Sequence, residues 1–198
     1  KVPVWLNSPL IELISEKGKV TGAIVRHEGK DVRIAARKGV VLAAGGFDKN
    51  QAMREENAPL YQSAHLSGGT GGNTGDSIRA GLGVGSDTMN MHSAWAAPVF
   101  YVPGEPGGRL CTIERALPGC MMVNQKGERY LNEAASYHIV GQQMARREAE
   151  HKDASPSWFV FDHTYRHKYP VGPLLPLMPD WMQRGEVQSI LKKGKTIE

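Results

Sequence analysis

The sequence predicts an α/β domain over residues 1–85 followed by a mixed α+β domain over residues 86–198. Three observations carry this. A β-rich meander opens the chain, a continuous apolar run follows at residues 40–44, and a glycine-rich loop then leads into a helical pattern at Asp76.

The meander is read from strand-like segments at residues 4–14, 20–27 and 31–36, with Gly18 and Gly29 marking the turns between them. Val40, Val41, Leu42, Ala43 and Ala44 form an uninterrupted apolar stretch, as expected of a parallel strand buried on both faces, and Gly45 and Gly46 end it. A short helix is expected over residues 51–59. From Asp76 to Gly83, Ile78 and Leu82 recur at spacing four, which predicts a second helix. After about residue 86 the character shifts to Trp95, Phe100 and Tyr101 among prolines and glycines. Strands are predicted at residues 119–123 and 158–161, a turn at 124–127, a helix at 141–150, and a proline-broken tail.

With 40% hydrophobic and 22% charged residues, the composition is that of an ordinary globular protein. The net charge of +4 is dispersed over the chain, without the dense basic stripe and interleaved aromatics that nucleic acid requires. Cys111 and Cys120 are too few for a disulfide framework and form no metal-ligand cluster, which suggests buried thiols in a reducing, cytoplasmic setting. No apolar run reaches the roughly 18 residues of a membrane span, and no signal-peptide pattern opens the chain. Lys1 to Trp5 run directly into strand-like sequence without a methionine, as in a piece cut from a longer polypeptide.

Two constellations can carry chemistry. Ala44-Gly45-Gly46-Phe47 ends a strand with residues that permit close backbone approach by a ligand, or simply make a tight strand exit. In Gly72-Asn73-Thr74-Gly75-Asp76, the aspartate either caps the following helix or faces a ligand hydroxyl.

In this order, the stretch from Lys38 to Phe47 and the Gly72-Asn73-Thr74-Gly75-Asp76 loop resemble the FAD-binding domain of the fumarate reductase and succinate dehydrogenase flavoprotein superfamily. Glu114-Arg115-Ala116-Leu117-Pro118-Gly119, then Arg129-Tyr130-Leu131-Asn132-Glu133, and Trp158-Phe159-Val160-Phe161-Asp162 resemble its bacterial, steroid-degrading 3-ketosteroid dehydrogenase branch. The resemblance implies a partial Rossmann-like FAD-binding domain followed by an incomplete substrate-capping domain. It implies FAD as cofactor, with Ala44, Gly45, Gly46, Thr74, Gly75 and Asp76 against it. It also implies a small, apolar, steroid-like ketone as substrate, with an electron acceptor left unspecified.

In that branch a tyrosine soon after Asn132-Glu133 acts on the substrate, and Tyr137 occupies its place. Forming a double bond beside a ketone requires an acceptor for the α-proton, which a tyrosinate can be. A packed, hydrogen-bonded ring is the plainer reading of Tyr137. Trp95, Ile113 and Leu117 either line an apolar cleft or belong to the core. The Gly-x-Gly-x-x-Gly pyrophosphate turn and the groups that hold the ketone oxygen do not occur in these residues, so this chain alone is expected to be inactive. Arg115 stands outside the Arg-Gly-Glu-Gly pattern of the dicarboxylate reductases and reads as a salt-bridge residue. His163 and His167 lack the glutamate of a zinc site, so no metal is expected, and His138 reads as a surface or hydrogen-bonded residue. A fumarate-reductase-like enzyme acting on small acids and a non-catalytic flavin-binding module are the competing readings.

Overall fold

The computed structural model describes residues 1–61, 63–183 and 185–196. The chain divides into two compact units, Lys1–Pro59 with Gly69–Ser93, and Leu60–Gly68 with Ala94–Glu198. The first unit extends past Gly85 because the chain after the second helix folds back on it: the Ser86 amide donates to the Gly81 carbonyl at 3.0 Å. Residues 60–68 pack with the second unit, where the Gly108 amide donates to the Leu66 carbonyl at 3.3 Å.

In the first unit, β1 (Leu10–Glu16), β2 (Lys19–His27) and β3 (Lys30–Ala35) form an antiparallel sheet in sequence order. Each connection is a two-residue turn with both residues at positive φ, Lys17-Gly18 and Glu28-Gly29, the backbone twist that antiparallel hairpins favour. Residues 4–9 stay out of the sheet. Pro9 has no amide to donate to a ladder, though its carbonyl accepts the Arg26 amide at 3.0 Å, and paired strand residues begin at Leu10, opposite Val25.

The parallel strand expected at residues 40–44 does not form. Val41 is 90% exposed, and among the described residues no strand pairs with this run. A strand exists through the N–H and C=O groups of its neighbours, and an apolar sequence cannot substitute for them. Helix α1 (Gln51–Asn57) starts where Asn50 accepts the Met53 amide at 3.1 Å, a side-chain N-cap. Helix α2 (Asp76–Leu82) is preceded by Gly75 at φ +81°, with no side-chain cap.

The second unit holds two short antiparallel pairs, β4 (Val99–Phe100) with β5 (Arg109–Leu110), and β6 (Cys120–Val123) with β7 (Trp158–Phe161). Helix α3 spans Tyr137–His151, four residues earlier than the sequence pattern indicates, because Ser136 accepts the Ile139 amide and caps it. Gly141 thus lies inside the helix, where an added Cβ would fall 2.7 Å from the Ala96 carbonyl carbon. The tail is helical in part: Asp162 accepts the Tyr165 amide at 2.7 Å and starts α4 (His163–Lys168), and α5 follows at Gly185–Ile190.

One core cluster centres on Val102, Tyr165, Val171, Leu174 and Val187, and a second on Met122, Leu131 and Val140, with Phe159 packed against both. Buried Asn124 organises the turn after β6. Its Oδ1 accepts the Lys126 and Glu128 amides at 3.0 and 2.9 Å, and its Nδ2 donates to Asp153 at 3.1 Å. Asp153 is clamped by Arg147 through two 2.7 Å bonds. Arg147 thereby holds the Asp153 carboxyl at about 2.

Candidate functional site

Residues 44–50 and 72–76, distant in sequence, come together in the first unit. The Gly75 amide donates to the Gly46 carbonyl and the Lys49 amide to the Asn73 carbonyl, both at 3.0 Å. Side chains complete the junction: Asn73 Nδ2 donates to Asp48 Oδ1 at 2.7 Å, and Asn50 Nδ2 to the Thr74 carbonyl at 2.8 Å.

Two glycines permit this approach. Gly45, at φ +81°, lies where an added Cβ would be 2.4 Å from Asn73 Oδ1, and the same addition at Gly75 would be 2.4 Å from the Met53 sulfur. Gly46 differs. A Cβ there would meet nothing within 4 Å, so the junction exposes bare backbone on that side. Ala44 is exposed beside it. Asp76 is the first residue of α2, not its cap. Its carboxylate accepts from Thr74 Oγ1 at 2.7 Å and pairs with Arg79 at 2.5 Å. The Thr74 hydroxyl, then the Arg79 guanidinium, hold the Asp76 carboxyl below the usual range and keep it anionic.

An open backbone at Gly46, bonded to Gly75 of the loop that carries Thr74 and Asp76, fits a flat, hydrogen-bonding cofactor such as FAD, which needs close approach without intervening side chains. Of the locking residues, Asn73 lies within the Gly72–Asp76 motif read from the sequence, whereas Asp48 and Asn50 stand outside both constellations. Asn50 bears an N-cap signal, but nothing local announces the pairing of Asp48 with Asn73.

In the second unit, Tyr137 is the first residue of α3 and is 38% exposed. Trp95 and Ile113 are 88% and 71% exposed, whereas Leu117 packs against the larger core cluster. Arg115 is buried, and among the described residues no carboxylate forms a salt bridge with it. Its Nη1 donates to the backbone carbonyls of Glu133 and of Ala135, the latter at 2.6 Å. The turn that includes Glu133 brings backbone acceptors closer than any carboxylate. The His163 and His167 rings lie 4.2 Å apart on α4, and among the described residues no group of three or more potential ligands could hold a metal. Both cysteines are free, and burial pushes the Cys111 thiol up to about 12, leaving it protonated. No helix among the described residues is long and apolar enough to cross a membrane.

The profile of the FAD binding domain family matches residues 1–192. The chain belongs to the FAD binding domain family. It is similar to the 3-oxosteroid 1-dehydrogenase of Mycobacterium tuberculosis (strain ATCC 25618 / H37Rv), with 34% identity over 94% of this chain and 35% of that relative. The 4-oxocyclohex-2-ene-1-carboxylate 5-dehydrogenase of Sinomonas cyclohexanicum is also 34% identical, over 100% of this chain and 34% of its own length. Among solved structures, the 3-ketosteroid Δ1-dehydrogenase of Sterolibacterium denitrificans, in complex with 1,4-androstadiene-3,17-dione, superposes with a TM-score of 0.83 and 44% identity, covering 88% of this chain and 32% of that one. The chain thus spans about a third of the length of these FAD binding domain relatives.

Proposed function

We propose that this chain is part of an FAD-dependent dehydrogenase that introduces a double bond beside a ring ketone, with a 3-ketosteroid as substrate. The observation that carries the reading is the likeness, in fold and in sequence, to a steroid-bound dehydrogenase over most of the chain. Residues 1–85 would contribute to the flavin domain and residues 86–198 to the substrate cap.

In this proposal Ala44, Gly45 and Gly46 present backbone to FAD, and Thr74, Gly75 and Asp76 approach it from the neighbouring loop. Bound FAD supplies the acceptor for a hydride. Tyr137, as its phenolate, takes at Oη the proton from the carbon α to the ketone. The electron pair of that C–H bond forms the new C=C bond as the β-carbon gives up its hydride. The steps balance as one proton to Tyr137 and one hydride to the cofactor. Trp95, Ile113 and Leu117 supply apolar surface for the rings.

A small cyclic oxo acid is the second reading, favoured by the similarity to the cyclohexene carboxylate enzyme over the whole chain. A dicarboxylate is disfavoured, because buried Arg115 turns its Nη1 to the backbone carbonyls of residues 133 and 135.

The protein from the complete reading frame, purified with FAD, should be bleached anaerobically by androstenedione and remain oxidised with succinate. Bleaching by 4-oxocyclohexanecarboxylate alone would favour the second reading. Bleaching by neither ketone would leave a non-catalytic module. Tyr137→Phe should retain flavin and lower the bleaching rate by about 10²–10⁴-fold, the usual contribution of a positioned proton acceptor; an unchanged rate would remove Tyr137 from the mechanism.

A further inference from the structure

Arg115 is 4% exposed, and the atoms it reaches belong to the turn that leads directly into Tyr137. Its Nη1 donates to the carbonyl of Glu133 and, at 2.6 Å, to that of Ala135, two residues before the tyrosine. A buried guanidinium used on the backbone carbonyls of residues 133 and 135 is a costly way to hold a loop, since its Nε has no partner among the described residues. The same turn is held from the other side. Glu133, also buried, accepts the Met122 amide at 2.9 Å and pairs with Arg129 at 2.6 Å. Asn132 Oδ1 accepts the Ala134 amide at 3.0 Å, and Ser136 then caps α3.

The base of Arg115 is itself fixed. Arg115 lies in the 3₁₀ turn Glu114–Ala116. The Tyr165 hydroxyl, from α4, donates to the Glu114 carbonyl at 2.5 Å, and Cys120 Sγ, from β6, lies 3.4 Å from the Arg115 carbonyl. Anchors therefore run from the core through Arg115 to the N-terminus of α3. Tyr137, by contrast, is over a third exposed, so its own packing constrains it less than the backbone that carries it.

We infer that Arg115 is a positioning residue for Tyr137, a clamp that fixes where the α3 N-terminus presents the phenol to the substrate's α-carbon. This rests on the proton-acceptor role proposed above. Proton transfer depends steeply on geometry, and a shift of about 1 Å costs on the order of 100-fold in rate.

The test is a double-mutant cycle in the complete, FAD-loaded protein, read as the anaerobic rate of flavin bleaching by androstenedione, with FAD content and steroid affinity measured in parallel. Arg115→Met should lower the rate by about 100-fold while FAD content and steroid affinity hold, and should raise the isotope effect with α-deuterated steroid. In a Tyr137→Phe background the same change should have no further effect. Arg115→Lys, which keeps donors in place, should recover part of the rate, and it carries the same comparison if Arg115→Met does not accumulate. Equal losses in both backgrounds, or a loss that follows flavin or steroid binding, would mean that Arg115 supports the fold without acting through Tyr137. If Tyr137→Phe alone is as fast as the parent, the proton-acceptor reading fails, and that result is separate from failure of the clamp.

Discussion

Asn73 Nδ2 donates to Asp48 Oδ1 at 2.7 Å across a separation of 25 positions, and the same side chain's Oδ1 fills the space where a Cβ on Gly45 would stand. The amide thus ties the two glycine turns together and also requires glycine at position 45. Gly45→Ala should suffer twice, from a positive φ that costs an L-residue about 1–2 kcal/mol and from collision with Asn73. Adding Asn73→Ala should relieve only the collision. Flavin retained per polypeptide after gel filtration should fall in Gly45→Ala and be partly regained in the double variant; full retention in Gly45→Ala would show that the turn adjusts freely.

Gly141 allows α3 to touch the backbone at Ala96, next to Trp95. A methyl group there would sit 2.7 Å from a carbonyl carbon, and neither partner is a flexible side-chain end. Gly141→Ala should therefore destabilise by about 1–3 kcal/mol despite alanine's better helix propensity. Urea unfolding midpoints should drop with little change in slope; a raised midpoint would show that the contact yields.

The Arg147–Asp153 clamp predicts the acid response. Asp153 is lowered from 3.8 to about 2, so the unfolded chain binds its proton first. The stability this pair contributes is complete above about pH 4 and is lost as the pH falls from there towards about 2. Asp153→Asn should unfold more readily at neutral pH and show a flatter dependence over that acid window, as followed by circular dichroism. A parallel displacement of the two acid curves would assign the transition to other carboxylates.

Tyr165 anchors the Glu114–Ala116 turn through one buried hydroxyl. Tyr165→Phe keeps the ring in the larger core cluster and removes only that donor. The expected loss is about 1 kcal/mol of stability, more if the Glu114 carbonyl finds no water. Thermal unfolding should register it; an unchanged midpoint would mean the carbonyl is readily satisfied elsewhere.

Much of this arrangement is legible in sequence where the physics is local. The hairpins at Lys17-Gly18 and Glu28-Gly29 are marked by a glycine at the second positive-φ position between short strand-like runs, and β6 and β7 are evident from their apolar residues. The order of the glycine turns and the segments around Arg115, Tyr137 and Trp158 carries the family resemblance, and with it the expectation of FAD. Residues 40–44 mark the limit of such reading: apolar sequence proposes a buried strand, but pairing decides it. The start of α3 at Tyr137 rests on a local cap, Ser136 accepting the Ile139 amide, whereas only the tertiary structure turns Arg115 from an ion-pair partner into a backbone clamp and joins Asp48 to Asn73. Each depends on donors and acceptors far apart in the chain, whose meeting is set by how the units pack internally and leaves no periodic trace in the sequence.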